Sequence, residues 1–248
     1  MNTNRQIGLL SLPVFVAALG YFVDVYDLLL FTIVRQPSVL AVGATAKTII
    51  EDSAHIINWQ MSGLLIGGIV WGVIGDKHGR LKVLFGSILL YSAANILTSF
   101  VQNVDQYAYC RFIGGIGIGV SSVVAPTYIS EISTPKTRGK LGALYQFNIV
   151  FGILAAFLSN YFFQGVGGEN DWRWMLGILV VPSVIFTFMV LAIPESPRWL
   201  ITQKNNIPVA SNIFKEMGVE DVQKEVEFII KGNKTNSSDF KTDSFFIV

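Results

Sequence analysis

Two carboxylates three residues apart are the first chemically suggestive feature of this sequence. The stretch GYFVDVYDLLLF, Gly20–Phe31, places Asp24 and Asp27 inside an apolar run from Ile7 to Val34. Residues three apart lie near one face of a helix, so the two acids share a side. Ionisable groups in such a run are costly; they face a bundle interior, pair with an opposite charge or relay protons. Arg111 opens a later apolar run and is the natural counter-ion. Paired with Arg111, the Asp27 carboxylate keeps its charge. Parted from it, an unpaired charge in dry surroundings takes up a proton. Asp27 is therefore the candidate proton carrier, Arg111 its partner and Asp24 a second carrier. The competing interpretation is a permanent salt bridge with no titration.

Two amides, Gln146 and Asn148 in YQFNIVFG, interrupt another apolar run, and Asn160 follows in the same run. Gln146 is the first candidate for hydrogen bonding a polar solute, with Asn148 and Asn160 as weaker candidates for the same contact. For Asn148 an interhelical hydrogen bond is the stronger expectation. A third group lies in polar segments. GVIGDKHGRLK carries Asp76, Lys77 and Arg80, ISEISTPKTRG carries Glu131 and Arg138 around Pro135, and PESPRWL carries Glu195 and Arg198. Each segment combines an acid with an arginine, so together they form a breakable charge network able to hold one conformation. A solvated basic loop is the plain alternative for the first of them.

These groups need elements to position them. The 248-residue chain is 52% hydrophobic and only 14% charged, where a soluble domain carries about a quarter charged residues. A membrane helix needs about 20 mostly apolar residues. Six runs qualify: Ile7–Val34, Trp59–Gly75, Val83–Val101, Tyr107–Ser130, Leu141–Phe163 and Trp172–Ile193. The expected fold is all-α and polytopic, with residues 1–199 as a six-helix transmembrane domain and 200–248 as cytoplasmic amphipathic helices and a flexible tail. Lys77, Arg80, Lys82, Lys136, Arg138 and Lys140 fill alternate loops, so both termini are expected in the cytoplasm, with a plasma membrane of bacterial inner-membrane type as the setting. In the tail, Val219, Val222, Val226 and Ile229 recur at helical spacing, and GNKTNSSDFKTDS reads as flexible. The first run is too long for a signal-peptide core, so no cleaved leader is expected.

Several functions are set aside. A net charge of +1 argues against a nucleic-acid partner, and a lone Cys110 rules out an intrachain disulfide or a cysteine metal cluster. His55 and His78 have no partners at zinc-ligand spacing. No nucleophile–base pair survives the membrane placement, so neither an enzyme nor a cofactor is expected. RFIGGIGIGV looks like a dinucleotide loop, but it lacks a strand before it. Gly115 and Gly119, Gly63 and Gly67, and Gly68 and Gly72 are pairs four apart, the spacing that lets helix backbones approach in lipid, and such a seam could also let helices slide or rock.

Together these motifs make the chain resemble the N-terminal half of a major facilitator superfamily transporter. Asp76–Lys82 match the superfamily's loop between spans two and three. The stretch from YCRFIGGIGIGV to YQFNIVFGI, and PESPRWL, resemble the sugar porter family. The resemblance implies a three-plus-three inverted repeat, in which spans one and four, bearing Asp27 and Arg111, are counterparts around a midplane site. It also implies that Gln146 contacts sugar hydroxyls and that a small polar solute moves with a proton. Two acids in span one resemble proton symporters of phosphate and organic acids, so an organic anion is the rival substrate. The superfamily has twelve spans. The resemblance therefore implies a second six-helix half, or a second copy of this chain, as partner; a truncated membrane protein that does not transport is the rival of another class.

Overall fold

The computed structural model describes residues 12–132, 138–217, 219 and 221–243. The described residues form an all-α protein of ten helices: α1 Leu12–Ala41, α2 Ile49–His78, α3 Arg80–Thr98, α4 Val104–Ile132, α5 Arg138–Phe163, α6 Asp171–Gly177, α7 Val180–Leu191, α8 Pro197–Thr202, α9 Ile207–Glu216 and α10 Val222–Asp243. Five segments are long and apolar enough to cross a membrane, namely α2, α3, α4, Gly142–Phe163 of α5 and the α6–α7 stretch Asp171–Leu191. The 30-residue α1, which holds the two acids, is the sixth long element.

Three boundaries depart from expectation. Residues 35–58 were expected to be a long loop, but α1 runs on to Ala41 and α2 begins at Ile49. Val39 and Ile56 are fully buried, so both extensions have a packed side, and Glu51 and Asp52 in the first turn of α2 suit its positive N-terminal end. The sixth span is two helices. Pro182 has no N–H to donate and its ring crowds the carbonyl four residues back, at Ile178. The chain answers with tighter turns, Leu179 N to Leu176 O and Val181 N to Ile178 O, between α6 and α7. Finally, Gly232–Asp243 was expected to be flexible yet continues α10. Once a turn is formed, each further residue adds a backbone hydrogen bond at little cost.

The helix pair α2–α4 packs backbone to backbone. A Cβ at Gly63 or Gly67 would collide with the carbonyl of Phe112 or Ile116. Reciprocally, a Cβ at Gly115 or Gly119 would collide with the carbonyl of Gln60 or Leu64. Between lipid-soaked helices there is little hydrophobic drive, so close van der Waals contact of this kind supplies the association. Gly68 and Gly72 leave more room: a Cβ there meets neighbours at ordinary distances of 3.5 and 3.6 Å. The four seam glycines each receive a carbonyl as a notch receives a peg, which fixes the register of the two helices against sliding.

Helix α1 crosses the bundle centre, packed on α4 and α5. Its contact with α5 is aromatic: Phe22 lies 5.4 Å from Phe151 and 5.8 Å from Tyr26, whose hydroxyl donates to Ser159 Oγ at 2.8 Å. Beyond the spans, α8 starts at Pro197 with Ser196 as its cap, and α9 starts after the cap Asn206. Ala210, Ile213 and Phe214 of α9 and Val226 and Ile229 of α10 are buried, so the amphipathic stripe read in the tail packs against the rest of the molecule.

Candidate functional site

Two charged clusters stand out among the described residues of the bundle. The first is central. Asp24 and Asp27 of α1 face α4, as their spacing requires. Arg111 Nη1 donates to Asp27 Oδ1 at 3.0 Å, and the two side chains are 3% and 1% exposed. The same nitrogen lies 3.3 Å from Asn95 Oδ1 on α3, and the guanidinium sits 4.2 Å above the Phe31 ring. Asp24 is held separately, its Oδ2 accepting from Ser121 Oγ of α4 at 2.6 Å. The expected pairing of Asp27 with Arg111 is thus present, and α1, α3 and α4 all contribute.

The geometry of this pair is incomplete in a telling way. An arginine fork and a carboxylate can make two parallel hydrogen bonds. Here only one is made. Arg111 Nε and Nη2 are buried without a partner, and Asp27 Oδ2, which has the Tyr91 hydroxyl as its neighbour, makes no bond to the guanidinium. A buried ion pair repays its desolvation only with full hydrogen bonding, so a one-point contact is held weakly for its depth. Such a pair can part when its helices separate.

The second cluster closes the end of the bundle where α2, α4 and α7 finish and α3 begins. Arg80 is its centre. Its guanidinium binds Glu131 through Nη2 at 3.0 Å and Nε at 3.5 Å, and Nη1 reaches Asp76 at 2.5 Å. Glu195 contributes differently, because its Oε1 caps α3 by accepting from the backbone N–H of Arg80 at 3.1 Å and of Leu81 at 3.3 Å. Trp199 Nε1 donates to the Asp76 carbonyl at 2.9 Å. Gly79 makes the corner possible. Its φ is +104°, and a Cβ there would stand 2.6 Å from Glu195 Oε2. The three acids expected in a network do converge, but on one arginine. Among the described residues, Lys77 and Arg198 are exposed and make no ion pair. The side chain of Arg138 lies outside the described residues.

The amides separate. Asn148, Gly152, Ala156 and Asn160 form the buried stripe of α5. Asn148 donates to the Leu144 carbonyl at 2.9 Å, one turn back on its own helix, so the interhelical bond expected of it is not the one it makes. Gln146 lies on the other side of α5 with Val150, Ile153 and Phe157, all exposed. No hydrogen bond among the described residues joins it to the Asp27–Arg111 pair. Sequence reading missed Asn95, Ser121 and the capping role of Glu195. Asn95 could have been found as a lone amide in an apolar span, whereas Ser121 carries no such signal.

The geometry can be set beside known proteins. A family model described as sugar (and other) transporter matches residues 14–246. The chain is 33% identical over 224 residues to a glucose transport protein of Synechocystis sp., covering 86% of this chain and 47% of that protein. It is 38% identical over 174 residues to an arabinose-proton symporter of Bacillus subtilis, covering 66% of this chain and 37% of that protein. Among solved structures, a partially occluded inward open conformation of the xylose transporter XylE from E. coli superposes with a TM-score of 0.82 at 25% identity, over 91% of this chain and 59% of that one. The chain therefore spans half or less of the length of these two curated relatives.

Proposed function

This chain belongs to the sugar (and other) transporter family, and from that premise we propose that it forms one half of a secondary active transporter that moves a monosaccharide or similar small polar solute together with a proton. The observation that carries this is the one-point ion pair between Asp27 and Arg111, buried between α1 and α4. With α1 and α4 together, Asp27 is charged and held. With them apart, its carboxylate faces the bundle interior unpaired and takes a proton, which neutralises the cost of burial. Alternating access then links the proton's passage to the solute's. Gln146 serves as a solute contact because it points from the uncovered face of α5, where a second half would complete a cavity. Arg80, Asp76, Glu131 and Glu195 hold one closed state at the end of the bundle, with Arg138 as a further member.

Lys77, Arg80 and Lys82 at that end, and Arg198 and Lys204 just past α7, favour a cytoplasmic position for it and for both termini, in a plasma membrane of the bacterial inner type. The partners in this reading are the lipid bilayer, the solute, the proton and a second six-helix unit. The organic-anion reading is weaker, since Arg111, its one intramembrane cation, is already held by Asp27.

In proteoliposomes of the complete transporter, Asp27→Asn should abolish sugar accumulation driven by a pH gradient while leaving sugar exchange intact. Undiminished accumulation would refute the coupling.

A further inference from the structure

We propose that Asn95 of α3 is the acceptor to which the Arg111 guanidinium passes when the Asp27–Arg111 pair opens, which makes Asn95 a positioning residue for the coupling charge. Its part in coupling rests on the transporter reading above; the contact itself belongs to this chain alone. Arg111 Nη1 lies between two oxygens, Asp27 Oδ1 at 3.0 Å and Asn95 Oδ1 at 3.3 Å. Nε and Nη2 of the same guanidinium are buried without a partner. Among the described residues, Asn95 is therefore the one acceptor besides Asp27 that Arg111 already touches.

The amide is held ready for this exchange. Asn95 is buried, and its Nδ2 donates to the Tyr91 carbonyl at 3.2 Å, one turn back on α3. A side-chain amide has a donor end and an acceptor end. With the donor end tied to its own helix, Oδ1 is the end turned to Arg111. A neutral oxygen is a weaker partner for a cation than a carboxylate. Arg111 therefore favours Asp27 while both are present and falls back on Asn95 when Asp27 leaves.

Packing decides which of the two oxygens stays with Arg111. Gly117 of α4 faces α3, where a Cβ would stand 2.8 Å from Tyr91 Cβ and 2.9 Å from the Ser87 carbonyl. Gly115 and Gly119 lock another side of α4 onto α2. Helices α2, α3 and α4 thus form one closely fitted group that holds Arg111 and Asn95 together. Helix α1 is fitted elsewhere. A Cβ at Gly152 of α5 would come 3.0 Å from the Phe22 carbonyl, and one at Gly20 would come 2.8 Å from the Phe186 ring of α7. None of the α4 glycines brings its backbone against α1. Side-chain contacts join α1 to α4, among them Asp27 to Arg111, Asp24 to Ser121 and Phe31 to Tyr107. The helices part most readily along that boundary, with Asn95 on the Arg111 side of it. Phe31, whose ring lies 4.2 Å from the guanidinium, leaves with Asp27. A buried cation stripped of every acceptor would oppose the parting, and Asn95 removes that obstacle.

A double-mutant cycle on the 248-residue chain in nanodiscs, read by thermal melting, tests the contact. Asp27→Leu takes the carboxylate away, as parting does. In that background Asn95→Leu should lower the melting temperature by more than it does in the wild type, because Arg111 then has no acceptor. Asn95→Asp in the same background should raise it, because a carboxylate on α3 takes over the guanidinium; an amide that only fills space gives no such rescue. Equal drops in the two backgrounds, or no rise with Asn95→Asp, would overturn the proposal. Should the double leucine variant fail to fold, the Asn95→Asp comparison decides. In proteoliposomes of the complete transporter, Asn95→Leu should slow pH-driven accumulation several-fold at unchanged KM for sugar, and an unchanged rate would remove Asn95 from coupling. Failure of the transporter reading has a separate signature: the wild-type assembly accumulates nothing, while the melting result stands.

Discussion

Single residues set sharp conditions at the charge network. Gly79 must adopt φ +104° and leave room for Glu195 and Trp199, whose nearest ring atom would be 3.3 Å from a Cβ. That backbone region is nearly closed to other residues, and strain of this kind costs about 1–3 kcal/mol. Gly79→Ala should therefore lower thermal stability by that amount, read as a drop in melting temperature, whereas Gly86→Ala, where a Cβ meets nothing, should not. The network is a hub with spokes. Arg80→Ala removes its contacts to Asp76 and Glu131 and leaves the Glu131 side chain, 8% exposed, without its cation. Losing one partner of a buried pair costs about 3–5 kcal/mol. Arg198→Ala, at an exposed residue, should be silent in the same melting assay. The three acids were legible from their motifs; that they share one arginine was not, because a motif gives a residue's place in the chain and not its neighbours from other segments.

Among the elements, the α2–α4 seam is the firmest prediction. Gly115→Leu drives a side chain into the Gln60 backbone and should separate the helices, seen as loss of the cooperative melt in nanodiscs. Gly68→Ala, whose new atom would sit 3.5 Å from its neighbours, should be tolerated. Little melting difference between the two would show that the seam is not what holds α2 to α4. Much of this architecture was readable. Spacing of four marked the seam glycines, and hydropathy marked five segments that the structure makes helical and long enough to cross a membrane. The ends of α1 and α2 were not readable, because Arg35, Glu51 and Asp52 make those turns look like loop while the buried Val39 and Ile56 hold them helical. The broken sixth span was encoded in Pro182, a residue that hydropathy scores but does not interpret.

At the scale of the whole molecule, α5 presents a largely uncovered apolar face. Phe147, Phe151, Phe157, Tyr161 and Phe162 are all exposed, between 48% and 73%, with Gln146 on the same helix. If a second six-helix unit covers that face, Gln146→Cys in a Cys110→Ser background should react with maleimide quickly in this chain alone and at least tenfold more slowly in the complete assembly. Equal rates would mean that the face stays open. The locked seam also has a mechanical meaning. Helices pegged together at four points have no side-chain rotamers to reset, so α2 and α4 turn as one lever. Arg111 and Glu131 are twenty residues apart on α4, about 30 Å at 1.5 Å per residue. With the fulcrum at Arg80–Glu131, a tilt of roughly 5° would displace Arg111 by about 2.6 Å at right angles to that arm, comparable with the 3.0 Å that now separates it from Asp27. On the proposed coupling, long leverage against a short bond would let a small rotation part the central pair while Arg80 and Glu131 stay together.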